Sequence, residues 1–163
     1  GQADLHELAA ELGSDVPFFL QAQPAIAKGR DVIGFAKTGS GKTLGFLLPA
    51  FKHLADARPY PNRGDPPKVL CLAPTRELAV QIHEVFDALG AAIGLRCVCV
   101  VGGVEIAAQA LALAKLPHVV VATPGRLVDH LENTKGFHLR GCKCLVMDEA
   151  DRMLSMDLSL IHI

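Results

Sequence analysis

The sequence predicts an α/β domain of three layers, in which a mainly parallel sheet is covered by helices on both faces. Apolar runs of strand length alternate with segments of helical periodicity along most of the 163 residues. The strand runs are continuously apolar, which is typical of parallel strands that are buried on both faces. A glycine-rich loop between the first of these strands and a helix has the order of elements of a phosphate-binding loop.

Five parallel strands with intervening helices are expected. The strands are predicted at residues 31–35, 69–73, 97–101, 118–122 and 144–147. The helices are predicted from Leu44 onward and at residues 77–89, 106–113 and 126–132. A short amphipathic helix with Leu5, Leu8 and Leu12 on one face precedes them and ends at Gly13. Residues 57–67 are rich in proline and are predicted to form an irregular loop.

The glycine-rich loop is the strongest functional signal. Its candidate phosphate-binding residues are Ala36, Lys37, Thr38, Gly39, Ser40, Gly41, Lys42 and Thr43. Glycines let several N–H groups point into one concavity, Lys42 can reach the β- and γ-phosphates, and the Thr43 hydroxyl can bind Mg²⁺. Taken alone, the loop is also compatible with a tight strand-to-helix turn that carries a surface lysine.

Polar segments follow the next three predicted strands, at the ends where parallel sheets bind ligands. They comprise Pro74, Thr75 and Arg76, then Gly102 and Gly103, and then Thr123, Pro124, Gly125 and Arg126. Each segment alone is an ordinary turn, but their shared placement predicts one composite surface.

Acidic residues follow the last predicted strand. Asp148 comes directly after it, as a P-loop enzyme requires of the carboxylate that holds Mg²⁺ together with Thr43. Glu149 is one residue further on and can activate the attacking water. Without the P-loop, the same residues would be interpreted as a solvated helix N-terminus.

Composition excludes several classes of protein. Half of the residues are hydrophobic, mean hydropathy is +0.32 and net charge is −1, which indicates a globular domain whose contacts with any polyanion are local. No apolar stretch long enough to span a membrane and no signal peptide are recognised, so a membrane partner is not expected.

The five cysteines are expected to be buried free thiols. Cys97 and Cys99, like Cys142 and Cys144, are separated by one residue in apolar strand-like runs, and this spacing is tighter than that of structural zinc sites. A metal site or a disulfide remains the alternative. The odd number of cysteines favours a reducing, intracellular compartment.

The motifs at residues 36–43, 74–78, 102–103, 123–126 and 148–151 together resemble those of DEAD-box RNA helicases, in the same order. The resemblance covers roughly residues 24–157 and implies the first RecA-like domain, with residues 1–157 as a partial ATP-binding domain and 158–163 as a tail outside the family. The Ser-Ala-Thr strand and the second RecA-like domain of that family are absent from the 163 residues. The stretch 122–137 resembles the branch that processes pre-ribosomal RNA, which implies a nucleolar location.

The resemblance also implies a role for each motif. Residues Thr38 to Thr43 would contact the phosphates of ATP, Asp148 would hold Mg²⁺, Glu149 would activate water and Asp151 would couple the nucleotide site to the rest of the protein. The segments around Arg76, Gly102–Gly103 and Arg126 would face the RNA backbone. The family's adenine-reading glutamine is displaced, because Phe19 occupies its position while Gln21 and Gln23 lie nearby; Gln21 is the candidate adenine contact.

Three functions remain open from the sequence. The first is an ATP-dependent RNA helicase, represented by its nucleotide-binding half and completed by a second RecA-like domain. The second is a module that binds nucleotide or RNA without turnover. The third is another P-loop ATPase that acts on DNA.

Overall fold

The computed structural model describes residues 41–56 and 67–155. The chain divides into two compact units, residues 1–53 and residues 54–163. The predicted first helix, the strand at 31–35, Gln21, loop residues 36–40, most of the proline-rich loop and the tail at 158–163 lie outside the described residues.

The described part of the first unit begins a helix. Gly41 has a φ of 79°, and helix α1 runs from Lys42 to Asp56, two residues earlier than the start predicted at Leu44. Leu47, Ala50 and Phe51 are buried, at the spacing expected for one face of a helix. The periodicity of this segment therefore predicted its helix correctly.

The described residues of the second unit contain four parallel strands. These are β1 (Val69–Leu72), β2 (Cys97–Val100), β3 (Val119–Ala122) and β4 (Cys144–Met147). They are arranged in the order β2-β3-β1-β4, so β3 lies between β1 and β2. Each strand begins and ends within one residue of its predicted bounds, and β1 and β3 are buried along their whole length.

The strands end at one level. Leu72 of β1 is in register with Ala122 of β3 and with Met147 of β4, and Ala122 is in register with Val100 of β2. Because all four strands are parallel, the residues that follow them emerge together along one edge, which we call the carboxyl edge.

Between residues 67 and 155, four helices accompany these strands: α2 (Arg76–Gly90), α3 (Ile106–Leu113), α4 (Pro124–Asn133) and α5 (Ala150–Ser155). A short 3₁₀ turn at Ala91–Ile93 follows α2. Helix α4 begins two residues before the start predicted at 126, because the fixed φ of Pro124 suits the first helical position.

The helices cover both faces of the sheet. Leu70, Leu72, Val100 and Val120 point to one face, where they form a core with Leu113 of α3, Leu127 of α4 and Met153 of α5. Helix α2 buries Ala79, Ile82 and Phe86 and contacts β2 and β3 on the opposite face. The predicted three-layer α/β architecture is confirmed.

All five cysteines are free, but only Cys71 is fully buried, and the expectation that all are buried was wrong for the other four. Cys97, Cys99, Cys142 and Cys144 are half-buried, because they lie on β2 and β4 or just before β4, where cover is less complete than over β1. Burial, together with Asp148 and Cys144, raises the pKa of Cys71. Over residues 41–56 and 67–155 no group of three metal-ligating side chains occurs, and no helix there could cross a membrane.

Candidate functional site

Three of the four segments that the sequence singled out start with a backbone hydrogen bond to the neighbouring strand. The amides of Ala73 and Thr123 donate to Ala122 and Val100, and the amide of Asp148 donates to Leu72, each at 3.0 Å. These bonds fix the start of each loop at the carboxyl edge. In strand order, the loops that follow are 102–105, 123–126, 74–76 and 148–149.

Arg76 reaches across the end of a neighbouring strand. It is the first residue of α2, after β1, yet its guanidinium lies against Gly103, which follows β2. A Cβ on Gly103 would come within 2.5 Å of Nη1 of Arg76, and Gly103 also has a φ of 75°. The backbone conformation therefore favours glycine here, and any larger residue would also displace the guanidinium of Arg76 from its position against the loop. The nearby charge of Arg76 partly opposes the effect of burial, which raises the pKa of Cys99.

Arg126, in the first turn of α4 after β3, approaches the same loop. Its Nη1 donates to the carbonyl of Val104 at 2.8 Å, and its Nε lies 3.3 Å from Oδ2 of Asp129. The side chain is 18% exposed, so its guanidinium is held in place rather than free in solvent. Two arginines, at the starts of the helices that follow β1 and β3, therefore converge on the loop after β2. We call Arg76, Gly102, Gly103, Gly125 and Arg126 the arginine–glycine surface.

Within the residues that the structure describes, Gly102 and Gly125 have no steric reason to be glycine. Neither has a positive φ, and a Cβ on either would meet nothing within 4 Å. Open space above a glycine leaves its backbone accessible to the close approach of another molecule. The side chain of Thr123 makes no capping hydrogen bond, so it does not satisfy the first amides of α4, to which Gly125 belongs.

Thr75 has a structural role that the sequence did not predict. Its Oγ1 accepts a hydrogen bond from the amide of Leu78 at 3.3 Å and so caps α2. This bond uses a lone pair of the hydroxyl and leaves its proton available for donation. Pro74 precedes this cap and Pro124 is the first residue of α4, so both prolines shape helix starts.

Acidic residues occupy the β4 end of the edge. Asp148 is 3% exposed, and its Oδ1 accepts a hydrogen bond from the amide of Glu149 at 3.0 Å. Glu149 has a φ of 52°, and its carbonyl accepts from the amides of Arg152 and Met153 at the start of α5. Its carboxylate lies 3.4 Å from Nη1 of Arg152. Asp151 is exposed in the first turn of α5.

The donor set at this end suits a hard cation. A carboxylate held at the end of a buried strand presents oxygen ligands of the type that Mg²⁺ prefers. Asp148 meets that requirement through its burial and its fixed orientation.

The described part of the phosphate loop lies in the first unit. Gly41 accepts the first hydrogen bond of α1, from the amide of Gly45 at 3.1 Å, and Lys42 and Thr43 form the first turn. That turn carries no acidic side chain, so no negative side chain of α1 opposes an anion at its N-terminus. These features fit a phosphate group.

Three polar side chains linked by hydrogen bonds lie behind the arginine–glycine surface and were not predicted from the sequence. Gln109 of α3 donates to the carbonyl of Val101 at 2.7 Å, and its Oε1 lies 3.1 Å from Nε2 of His130. The other ring nitrogen of His130 lies 2.8 Å from the hydroxyl of Thr134. A lone glutamine in the otherwise apolar helix at 106–113 was the signal that could have revealed them.

Comparison with known proteins agrees with these features. The family described as DEAD/DEAH box helicase matches residues 17–161. The chain is 56% identical over 149 residues to the ATP-dependent rRNA helicase RRP3 of Pyricularia oryzae, covering 91% of this chain and 27% of that protein. It is 54% identical over 155 residues to the probable ATP-dependent RNA helicase DDX47 of Bos taurus, covering 94% and 33%. The chain thus spans about a quarter to a third of these relatives.

Solved structures show the same fold. The yeast DEAD-box splicing factor Prp28 superposes with a TM-score of 0.74 at 34% identity, over 83% of this chain and 31% of that one. The RNA helicase Prp28 from Chaetomium thermophilum, in a structure bound to ADP, also has a TM-score of 0.74, at 37% identity over 93% and 37%.

Proposed function

We propose that this chain, which belongs to the DEAD/DEAH box helicase family, is the nucleotide-binding half of an ATP-dependent RNA helicase. The observation that carries the proposal is the convergence of Arg76 and Arg126 on the Gly102–Val104 loop, at the same edge as the buried Asp148. In this assignment residues 1–157 form the first RecA-like domain, which works with a second domain of the same type.

The nucleotide site is assigned to the phosphate loop and the acidic end of the edge. ATP, when bound, would supply the phosphoanhydride bond that is cleaved. Mg²⁺ would supply positive charge that offsets the negative charge of the phosphate oxygens. Residues 36–43 would hold the phosphates, with Lys42 as their cation, and Thr43 and Asp148 would be the metal ligands. Gln21 is the proposed adenine contact.

Glu149 is the proposed base. Its carboxylate is 38% exposed and pairs with Arg152 at 3.4 Å. An exposed ion pair of this length contributes little free energy, so the carboxylate can exchange Arg152 for a water molecule and accept its proton. Asp151, exposed at the start of α5, would couple this site to the second domain.

The RNA site is assigned to the arginine–glycine surface together with Thr75 and Thr123. Phosphate and sugar oxygens can accept hydrogen bonds from guanidinium groups, from the accessible backbone amides of glycines and from hydroxyl groups. None of these donors reads a base edge. This explains how a chain of net charge −1 can bind RNA without sequence specificity.

Ribosomal RNA processing is the proposed pathway, because relatives at 54–57% identity are named as rRNA helicases. A nucleolar location follows from that assignment.

The salt dependence of RNA binding tests the proposal. In a protein that joins this chain to a second RecA-like domain, Arg76→Gln should reduce the slope of log affinity against log salt by about 0.7, the value of one single-strand phosphate contact. Lys115→Gln is the matched control, because this exposed lysine follows α3 at the opposite edge of the sheet. Equal slopes for both variants would contradict the RNA surface.

Turnover separates the remaining alternatives. ATP hydrolysis that is stimulated by RNA and not by DNA of the same sequence supports the helicase. Stimulation by DNA alone favours a DNA motor, and nucleotide binding without hydrolysis favours a module that does not turn over.

A further inference from the structure

The loop between β2 and α3 is held from both sides. On one side, the carbonyl of Val101 accepts from Nε2 of Gln109 at 2.7 Å. On the other, the carbonyl of Val104 accepts from Nη1 of Arg126 at 2.8 Å. Gly102 and Gly103 lie between these two anchors, so their backbone position depends on both.

The proton arrangement behind the loop follows from the first anchor. Since the amide group of Gln109 donates to Val101, its Oε1 is the acceptor that faces Nε2 of His130 at 3.1 Å. His130 therefore donates from Nε2, and in the neutral ring its Nδ1 accepts from the Thr134 hydroxyl at 2.8 Å. Every polar atom that these three side chains direct at one another has a partner of the opposite kind.

This chain of hydrogen bonds joins the loop to α4. Gln109 is 4% exposed and His130 is fully buried, so an alternative partner from solvent is not readily available to either. Burial lowers the pKa of His130 and the nearby Arg126 lowers it further, whereas Asp129 raises it. The net lowering of the pKa favours the neutral imidazole.

Thr134 is remote from the carboxyl edge. It follows the last residue of α4, a helix of 10 residues, and is therefore about 12–14 Å along the axis from Gly125 and Arg126 near its start. Thr134 therefore does not contact that edge, and its hydrogen-bonded path to the loop after β2 runs through His130 and Gln109.

We propose that Gln109, His130 and Thr134 are positioning residues that fix the loop after β2 against α4 and so set the RNA affinity of the arginine–glycine surface. None of the three touches RNA. The inference rests on the proposed function, because it deepens the account of the same surface.

The direct test removes hydrogen bonds without changing size. Gln109→Leu should raise the RNA concentration for half-maximal ATPase stimulation by about tenfold, because two buried polar groups lose their partner. The ATP concentration for half-maximal rate and the rate at saturating RNA should stay within about twofold. An unchanged RNA requirement would overturn the proposal. So would a variant in which the RNA requirement, the ATP requirement and the maximal rate are all impaired to a similar extent.

A milder pair of variants keeps the test valid if Gln109→Leu folds poorly. Thr134→Val is isosteric but lacks the hydroxyl, whereas Thr134→Ser retains it. Thr134→Val should raise the RNA requirement by about two- to fivefold and Thr134→Ser should restore it. Equal behaviour of the two variants would count against the network.

Hydrogen exchange distinguishes this inference from the proposed function, since it needs no RNA. In the 163-residue chain, the amide of Gln109, which donates to the carbonyl of Glu105 at the end of this loop at 3.3 Å, should exchange faster in Thr134→Val than in wild type or Thr134→Ser. Unchanged exchange overturns the positioning role. Faster exchange in a protein that RNA fails to stimulate supports the mechanical coupling and refutes the RNA function.

Discussion

Alanine at Gly125 should separate RNA affinity from stability. A Cβ there meets no atom of residues 41–56 or 67–155 within 4 Å, and φ is not positive. The substitution also removes the entropic cost of glycine in a helix, so the free energy of unfolding should stay equal or rise by up to about 1 kcal/mol. If an RNA phosphate approaches the backbone at this point, the new methyl group removes a charge-assisted hydrogen bond worth about 1.5–3 kcal/mol.

The predicted loss of RNA affinity is therefore roughly 10- to 100-fold. Binding of labelled single-stranded RNA would be measured by fluorescence anisotropy in the two-domain protein, and thermal unfolding in the chain itself. Gly136→Ala is the matched control, because Gly136 has a φ of 81° and open space around it but follows α4 at its far end.

The control should show the opposite pattern. Forcing alanine into the left-handed region costs about 1–2 kcal/mol, which corresponds to a fall in Tm of about 2–8 °C. RNA affinity should be unchanged. If Gly125→Ala binds RNA as tightly as wild type, the close approach of RNA to the start of α4 is refuted.

Three further predictions concern the nucleotide site and pH. Lys42→Ala should weaken ATP binding by about ten- to a hundredfold in calorimetry, because it deletes a charge-assisted phosphate contact; equal affinity would refute the phosphate loop. Glu149→Gln should lower the rate of ATP hydrolysis by about 10²–10⁴-fold while ATP and RNA binding survive. Asp148→Asn should also weaken Mg²⁺-dependent nucleotide binding. Hydrolysis by Glu149→Gln at the wild-type rate would exclude Glu149 as the base. Burial and the charge of Arg96 lower the pKa of His118 from 6.5, so the unfolded chain takes up a proton more readily than the folded chain. The free energy of unfolding should therefore be highest above about pH 6.5 and should fall as the pH drops towards the folded pKa. Denaturant unfolding between pH 7 and 5 should show a shallower loss in His118→Asn, which keeps an acceptor for the amide of Arg96 at 2.9 Å; an identical loss would assign the effect elsewhere.

The positions of the strands could be predicted because each is a short apolar run that is followed by proline, glycine or a polar residue. Asp148, for example, marks the end of β4 in the sequence and in the structure. The placement of polar motifs at one edge followed from the parallel arrangement alone. Local pattern was therefore sufficient for the strands and for the edge.

Relations between distant segments could not be predicted in the same way. Nothing in the sequence around β1, β2 or β3 states their order, so the reach of Arg76 across the end of β3 to Gly103 was not foreseen. The bond between Gln109 and His130 joins residues 21 positions apart on two helices. The left-handed backbone of Glu149 depends on the turn between β4 and α5 and has no signature in residue type.

The order of the strands also determines when the sheet can form during synthesis. Val69 of β1 pairs with Val119 on one side and with Cys144 on the other. A ribosome that adds about 5–20 residues per second needs roughly 4–15 s to pass from the first of these strands to the last. Throughout that interval at least one edge of the entirely apolar strand β1 lacks its partner, which leaves its backbone groups open to pairing with another chain until β4 has emerged.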